Sequence, residues 1–205
     1  MPNLPGSALV LAPIGDYRAQ LLGGENATLE SMAEKRQQEF SSGRYCVHRC
    51  SELLGLPAEP ILRLERLPVW PSSAYTGSIS HCDIAAAAAV TTELKGIGID
   101  IERTGRVKER LFAALFTETE RAVLAGLPST APAIAFSAKE SGYKAIFPIG
   151  GQFIGFQEAA VQLNWPAQTF TIEYFGTHQP NRALHSGKGY WQVEGNYVLT
   201  IFVIH

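Results

Sequence analysis

The segment GIGIDIER at residues 96–103 places two carboxylates inside an apolar, strand-like run. Asp100 and Glu102 are two residues apart, so on a β-strand they share one face, while Ile99 and Ile101 share the other. Neighbouring carboxylates repel each other and lose hydration when they are buried. A divalent cation removes both penalties, and Mg²⁺ prefers carboxylate oxygens. A solvated strand end is the alternative, and for this short pattern alone it is the interpretation we favour.

A second group of charges lies in FSAKESGYKAIFP, residues 136–148, within a helix predicted over about 132–146. Glu140 and Lys144 are four residues apart and share a helix face, with Lys139 in the neighbouring row. Alone, these charges would be interpreted as an ordinary surface ion pair. The rest of the helix is largely apolar, however, and a helix destined for the core would expose such charges to a cleft.

Basic and small polar residues of the N-terminal half form a third group of candidates. Arg36, Arg44 and Arg63 could each present a planar guanidinium to a phosphate. Ser80 and His81 lie in GSISHCD, a small-residue segment of the kind that lets backbone approach a ligand closely. For any one of these residues alone, a solvated helix face or a structural histidine is the better interpretation.

Composition bounds the class of protein. With 205 residues, of which 46% are hydrophobic and 18% charged, the chain is long enough for one large or two small globular domains. Its net charge of −2 gives no basic excess, so we expect no nucleic-acid partner. No apolar run reaches about eighteen residues and the N-terminus lacks a basic region, so we expect neither a transmembrane helix nor a signal peptide. Three cysteines favour reduced thiols and a cytoplasmic location.

The pattern of apolar residues and turns predicts helices and antiparallel strands in each half, which is the α+β class. A helix is expected over 28–54, weakened or bent by SSG at 41–43, and a proline-rich loop over 57–76. Thr117 and Glu120 form a capping box that opens a further helix. The predicted strands are 7–13, 77–80, 84–90, 97–102, two within 156–175, and a final hairpin within 189–204.

Four segments occur together in chain order: KRQQEFSSGRYCVHRCSELLG, WPSSAYTGSISHCDIAAAAAV, GIGIDIE and FSAKESGYKAIFP. In this combination the sequence resembles the 4′-phosphopantetheinyl transferase family, in particular the long type that activates surfactin, enterobactin and related synthetases. The resemblance runs from about residue 35 to 148 and depends above all on the last two segments. Phe136 stands where the family commonly has tryptophan, and SGY at 141–143 replaces a more usual Ala-rich or Ser-rich version, but the charged residues are kept.

The resemblance implies a fold of two similar α+β halves in a pseudo-twofold arrangement, with the active site in the cleft between them. Residues 1–94 would form the N-terminal half, which contacts the CoA nucleotide, and residues 95–205 the metal-binding and catalytic half. A chain that already contains both halves needs no second copy, so we expect a monomer.

The implied activity is the Mg²⁺-dependent transfer of the 4′-phosphopantetheine arm of coenzyme A to a serine of an acyl or peptidyl carrier protein. Adenosine 3′,5′-bisphosphate is the other product. The carrier could belong to siderophore, polyketide, nonribosomal peptide or fatty acid biosynthesis. The alternatives are a Mg²⁺-dependent nucleotide phosphohydrolase and a non-catalytic module that binds CoA or a carrier.

The resemblance also assigns residues to roles. Asp100, Glu102 and Glu140 would bind Mg²⁺, with Mn²⁺ as an alternative ion, and Glu140 would also act as general base, directly or through a water. Lys144 would hold the pyrophosphate and stabilise the leaving group. The implied CoA-binding residues are Arg36, Arg44, Arg63, Ser80, His81, Lys139 and Lys144.

Overall fold

A computed structural model of the chain describes residues 2–64 and 67–205. The chain forms two compact units, Leu4–Glu93 and Leu94–His205, and the second also includes the start of the chain. Each unit combines helices with antiparallel strands, so the fold is α+β in two halves, as the sequence predicts. Within the described residues, no helix is both long enough and apolar enough to cross a membrane.

The described residues of the first unit form one long helix and five strands. These elements are β1 (Ser7–Pro13), α1 (Glu34–Leu53), β2 (Leu62–Leu64), β3 (Leu67–Val69), β4 (Thr76–His81) and β5 (Ala85–Thr91), with short 3-10 helices at Arg18–Gln20 and Gly23–Ser31. Strands β1, β5 and β4 form an antiparallel sheet in that order, and these three strands match the prediction. Strands β2 and β3 form a separate two-stranded sheet within the segment predicted as a loop. Pro68 is tolerated there because a two-stranded sheet consists only of edge strands.

Helix α1 is continuous, so the predicted weakening or bend at residues 41–43 is wrong. Its small residues serve close packing. The hydroxyl of Ser42 accepts the backbone N–H of Gly15 at 3.0 Å. A Cβ added to Gly43 would lie only 2.9 Å from Cγ2 of Ile79, so the glycine lets the helix lie directly on β4.

The cysteines of the first unit are free thiols, and two of them belong to its core. Cys46 and Cys50 are fully buried on α1 and donate to backbone carbonyls of β5. Burial raises the pKa of Cys46 to about 11 and that of Cys50 to about 12. Both thiols are therefore protonated packing residues, which agrees with the prediction of reduced cysteines.

The second unit is a five-stranded antiparallel sheet covered by helices. Its elements are β6 (Gly96–Arg103), α2 (Phe112–Leu115), α3 (Glu118–Leu124), α4 (Ala131–Ile146), β7 (Ala159–Asn164), β8 (Thr169–Tyr174), β9 (Lys188–Glu194) and β10 (Tyr197–Ile204), with 3-10 helices at Glu109–Leu111, Phe147–Ile149 and Pro180–Ser186. The strand order is β6–β10–β9–β8–β7. The predicted strands, the helix α4 and the capping box of Thr117 with Glu120 are confirmed.

Helix α4 lies on β6 at backbone distance, and two glycines of the strand make this approach feasible. A Cβ at Gly98 would overlap the carbonyl oxygen of Ser141, and one at Gly96 would overlap that of Ala145. No other residue type fits these two positions without moving the helix. The polar side chains of α4 therefore come to lie beside the two acids of β6.

Candidate active site

Asp100 and Glu102 lie on one face of β6, as their spacing predicts. Both residues are buried, with 6% and 8% of their surface exposed. In the neighbouring strand β10, Thr200 pairs with Asp100 and Val198 pairs with Glu102. The carboxylates thus lie within the sheet, not at a solvated strand end, and this excludes the simpler interpretation of the pattern.

Each oxygen of Asp100 accepts a hydrogen bond from α4. The ammonium of Lys144 donates to Oδ1 at 2.8 Å, and the hydroxyl of Ser137 donates to Oδ2 at 2.8 Å. Lys144 also donates to the backbone carbonyl of Ile99 at 3.1 Å. The predicted acid of the strand and the predicted lysine of the helix are therefore in direct contact.

Glu102 is held by its own strand end and by the turn that follows. Its Oε1 accepts the backbone N–H of Arg103 at 2.8 Å, and its Oε2 forms an ion pair with Nε of Arg106 at 3.1 Å. Burial raises the pKa of Glu102, and the negative charge of Asp100 adds to this effect. The hydrogen bond from Arg103 and the charge of Arg106 act in the opposite direction.

Glu140 is the third acid of this group. Its side chain, unlike its helical backbone, forms no hydrogen bond or ion pair with another residue of the described part of the chain. Burial raises the pKa of Glu140; the charge of Lys144 lowers it, and the charges of Asp100 and Glu102 raise it further. Because the ionisation of Glu140 responds to both strand acids, we treat the three carboxylates and Lys144 as one electrostatic group, which we call the acid cluster.

The chemistry of the acid cluster fits a hard divalent cation, since it concentrates carboxylates whose charge is disfavoured by burial and by one another. Among the side chains that the structure describes, however, no three from His, Cys, Asp or Glu are arranged to hold a metal ion. The oxygens of Asp100 and Glu102 are directed instead towards protein donors, among them Lys144, Ser137 and Arg106. The donor set suits Mg²⁺, although the side chains do not form a ready three-ligand group.

The basic residues predicted in the first unit also contact one another. Nη1 of Arg36 lies 2.6 Å from Nε2 of His81 and 3.1 Å from Oε2 of Glu39. Because an arginine can only donate, Nε2 of His81 must accept, so its proton is on Nδ1. Ser80 is buried and, as the preceding residue of β4, points to the other face of the strand.

Arg44 is buried in the first unit and donates from Nε to the carbonyl of Ile61 at 2.7 Å. Burial lowers the pKa of Arg44 to about 10; Glu25 raises it, and the positive charges of Arg63 and Arg36 lower it. Because the charges of Arg36 and Arg63 act on the pKa of Arg44, we call these three arginines the positively charged group of the first unit. The buried guanidinium of Arg44 also donates to backbone carbonyls.

Lys139 occupies a different environment from the one predicted. Its side chain is completely buried, and Nζ donates to Oε2 of Glu120 at 2.8 Å and to the carbonyls of Leu115 and Phe156 at 3.0 and 2.6 Å. An ammonium has three donors, and all three have acceptors here. This arrangement disagrees with the prediction that Lys139 contacts a CoA phosphate, and it identifies the residue as a structural anchor of α4.

The sequence alone did not single out Ser137, Thr200 or Arg106, although each contacts the acid cluster or its immediate partners. A signal was present for two of them. Ser137 lies in the same helical segment as Glu140, and Thr200 interrupts the apolar strand YVLTIFVI with a hydroxyl. A buried hydroxyl in such a strand needs a partner, and here it is found on α4.

The sequence matches two models of known protein families. Residues 24–91 match the 4′-phosphopantetheinyl transferase N-terminal domain, and residues 96–202 match the 4′-phosphopantetheinyl transferase superfamily. The chain therefore belongs to the 4′-phosphopantetheinyl transferase superfamily and is an enzyme of that class, as its motifs predict.

Individual relatives resemble the chain over most of its length. It is 33% identical over 190 residues to the 4′-phosphopantetheinyl transferase Svp of Streptomyces mobaraensis, covering 88% of this chain and 77% of the relative. It is 31% identical over 185 residues to the 4′-phosphopantetheinyl transferase PptT of Mycobacterium tuberculosis, covering 83% and 80%. It is also 34% identical over 183 residues to enterobactin synthase component D of Escherichia coli, covering 85% and 81%.

Proposed function

We propose that the protein transfers the 4′-phosphopantetheine arm of coenzyme A to a serine of an acyl or peptidyl carrier protein, with Mg²⁺ as the metal. Family membership supports the transferase class. The Mg²⁺-dependent transfer to a serine is supported by the acid cluster, in which Asp100, Glu102 and Glu140 interact electrostatically with Lys144 beside Asp100. A transfer between two phosphate esters depends on positioning and on charge stabilisation, and these residues offer both.

Asp100, Glu102 and Glu140 are the proposed metal-binding residues. When bound, Mg²⁺ or Mn²⁺ neutralises negative charge on the pyrophosphate and on the phosphate that leaves. Lys144 is already held by Asp100 at 2.8 Å, and 28% of its side chain is exposed. Its positive charge would hold the pyrophosphate and stabilise the leaving adenosine 3′,5′-bisphosphate.

Glu140 is the proposed general base. Its pKa is raised by burial, and a carboxylate with a raised pKa is the stronger proton acceptor. It would take the proton of the carrier serine, directly or through a water, as the serine oxygen bonds to the phosphorus attached to the pantetheine arm. The bond from that phosphorus to the bridging oxygen breaks, and its electron pair leaves with adenosine 3′,5′-bisphosphate.

The positively charged group of the first unit is the proposed binding site for the nucleotide end of coenzyme A. Arg36, Arg63 and His81 supply donors or positive charge for phosphate, and Arg44 contributes charge from its buried position. Ser80 of β4 would contribute a hydrogen bond to the nucleotide. Residues 1–94 would thus contact the nucleotide and residues 95–205 would carry metal binding and catalysis, in a monomeric and cytoplasmic enzyme.

The proposal is tested by incubating the protein with coenzyme A, Mg²⁺ and a panel of apo carrier proteins, and by measuring the intact mass of each carrier. We expect one carrier to gain the mass of a phosphopantetheine arm. Similarity to enterobactin synthase component D makes carriers of siderophore synthesis the first choice for this panel. Breakdown of coenzyme A without that gain would indicate a phosphohydrolase, and binding of coenzyme A without turnover would indicate a binding module.

A variant connects the activity to the acid cluster. Glu140→Gln keeps the size of the side chain but removes the base, so we expect the transfer rate to fall about 10²- to 10⁴-fold while coenzyme A still binds. Glu173→Gln removes an exposed carboxylate of β8 and should leave the rate unchanged. Equal rates for the two variants would contradict the assignment of Glu140.

A further inference from the structure

Two buried hydroxyl groups form a chain that ends on the carboxylate of Asp100. Ser137 on α4 and Thr200 on β10 are both completely inaccessible to solvent. Ser137 Oγ donates to Oδ2 of Asp100 at 2.8 Å and lies 2.9 Å from Oγ1 of Thr200. Thr200 also donates to the backbone carbonyl of Ser137 at 2.9 Å. The register of the sheet places Thr200 directly opposite Asp100, so the three groups are held by two strands and a helix.

The number of hydroxyl protons fixes the direction of the hydrogen bonds that link Thr200, Ser137 and Asp100. Each hydroxyl has a single proton to donate. Because the carboxylate of Asp100 can only accept, the proton of Ser137 is directed to Oδ2. The contact between the hydroxyls therefore has Thr200 as donor, and its proton is shared between Oγ and the carbonyl oxygen of Ser137. Neither hydroxyl can turn towards water, since both are fully buried.

We propose that Ser137 and Thr200 are positioning residues for Asp100. This inference rests on the proposed role of Asp100 as a metal-binding residue. Their hydrogen bonds fix Oδ2 towards the interior of the unit. Oδ1, which accepts from Lys144, would then be the oxygen that takes part in metal binding. Groups that hold a metal-binding side chain from behind typically set metal affinity by 10- to 100-fold.

The test measures metal affinity directly, by titrating the full-length protein with Mn²⁺ in the presence of coenzyme A and following free Mn²⁺ by electron paramagnetic resonance. We expect Ser137→Ala to weaken Mn²⁺ binding about 10- to 100-fold. Thr200→Val removes the second hydroxyl at nearly constant shape and should weaken binding less, because it acts through Ser137. Thr200→Ser keeps the hydroxyl and should bind Mn²⁺ like the parent protein.

A serine on the same helix provides the matched control. Ser141 is also completely buried, but its hydroxyl donates only to the carbonyl of Ala138, one turn earlier. Ser141→Ala should therefore leave Mn²⁺ affinity unchanged. Thermal unfolding of each variant without metal separates a loss of stability from a loss of affinity. If Ser137→Ala does not fold, the comparison of Thr200→Val with Thr200→Ser makes the same test.

The experiment can separately contradict the positioning role of Ser137 and Thr200 and the metal-binding role of Asp100. Reduced stability of Ser137→Ala and Thr200→Val, with the Mn²⁺ affinity of the parent, would show a merely structural role and overturn this inference alone. Absence of Mn²⁺ binding by the parent protein, or binding that Asp100→Asn does not weaken, would overturn the proposed metal site and the inference with it.

Discussion

At the scale of single residues, the buried charged groups of this chain are stable only because their partners are specific. Glu25 is almost completely buried in the first unit. It accepts hydrogen bonds from the backbone N–H groups of Leu22 and Ile61, each at 2.8 Å, and contacts His48 at 3.0 Å. These contacts join the N-terminal 3-10 segment to α1 and to the residue before β2. An unpaired charge at such a place would be strongly destabilising.

Glu25 should make the stability of the first unit depend on pH. Burial raises the pKa of Glu25, but hydrogen bonds from His48 and the two backbone N–H groups outweigh it, so the net pKa lies below the usual 4.5. A carboxyl with a depressed folded pKa stabilises above its unfolded pKa, and this contribution is lost as pH falls through the folded value. We expect Glu25→Gln to lower the free energy of unfolding by about 1–3 kcal/mol at neutral pH.

The difference between the parent protein and Glu25→Gln should shrink as the pH is lowered below 4.5, because the glutamate then becomes neutral as well. Urea unfolding at neutral and acidic pH measures it. Glu52→Gln, at an exposed position of α1, serves as the control and should show little difference at any pH. A difference for Glu25→Gln that stays constant with pH would contradict this explanation.

Tyr143 presents the opposite case, a buried polar atom without a partner. Its hydroxyl has no hydrogen bond to any described residue, although only 9% of the residue is exposed and its ring packs near that of Phe156. Leaving such a group unpaired costs about 1–3 kcal/mol. Tyr143→Phe should therefore raise the free energy of unfolding by about 1 kcal/mol with activity unchanged. Tyr190→Phe, at a less buried position, is the control, and denaturant unfolding is the measurement.

At the scale of elements, α4 is the helix that organises the second unit. One side of it lies on β6 through glycine contacts, and another is fixed to α3 by the buried pair of Lys139 and Glu120. Glu120 also accepts the backbone N–H of Thr117 at 2.8 Å, so the capping box and the ion pair share one carboxylate. The position of the acid cluster therefore depends on contacts that lie away from it.

Lys139→Met should distinguish an anchor from a ligand. Removing one partner of a buried ion pair leaves the other charge unpaired, which destabilises by about 3–5 kcal/mol. We expect thermal unfolding at a clearly lower temperature, with the KM for coenzyme A unchanged in the protein that remains folded. Lys95→Met, at an exposed position, is the control. A raised KM at unchanged stability would instead restore the predicted contact between Lys139 and a phosphate.

Gly98→Ala should separate α4 from β6, because the added Cβ would overlap the carbonyl oxygen of Ser141. We expect a loss of about 1–3 kcal/mol in the free energy of unfolding. A shift of the helix by about 1 Å would displace Lys144 from Asp100, so we expect the transfer rate to fall about 100-fold. Gly105→Ala, where an added Cβ meets no atom within 4 Å, should change neither quantity. Circular dichroism melting and the carrier-mass assay measure the two effects.

At the scale of the whole molecule, the sequence predicted the main elements because their signals are local. The alternation around Asp100 and the capping box of Thr117 with Glu120 specify their strand and helix without reference to distant residues. The predicted bend of α1 failed for the opposite reason. Gly43 is explained by its contact with Ile79, and nothing in the local sequence records that contact.

In the candidate site, too, features set by local spacing could be predicted, and features set by distant residues could not. The i, i+2 spacing places Asp100 and Glu102 on one face of their strand, and the contact of Lys144 with Asp100 joins helix and strand. The burial of Lys139 could not be predicted, because its acceptors come from residues 17 to 24 positions away in the chain. The contact of Ser137 with Thr200 spans 63 positions, and it exists only once β10 pairs with β6.

The carboxylate of Glu120 has a consequence for solubility as well as for folding. Its second oxygen accepts the backbone N–H of Val161 at 2.8 Å, on β7, the outermost strand of the five-stranded sheet. An uncovered N–H on such a strand invites a neighbouring molecule to extend the sheet. By accepting this N–H, Glu120 also protects the β7 edge of the sheet against aggregation. Loss of the Glu120 carboxylate should therefore favour assembly of chains through their sheet edges.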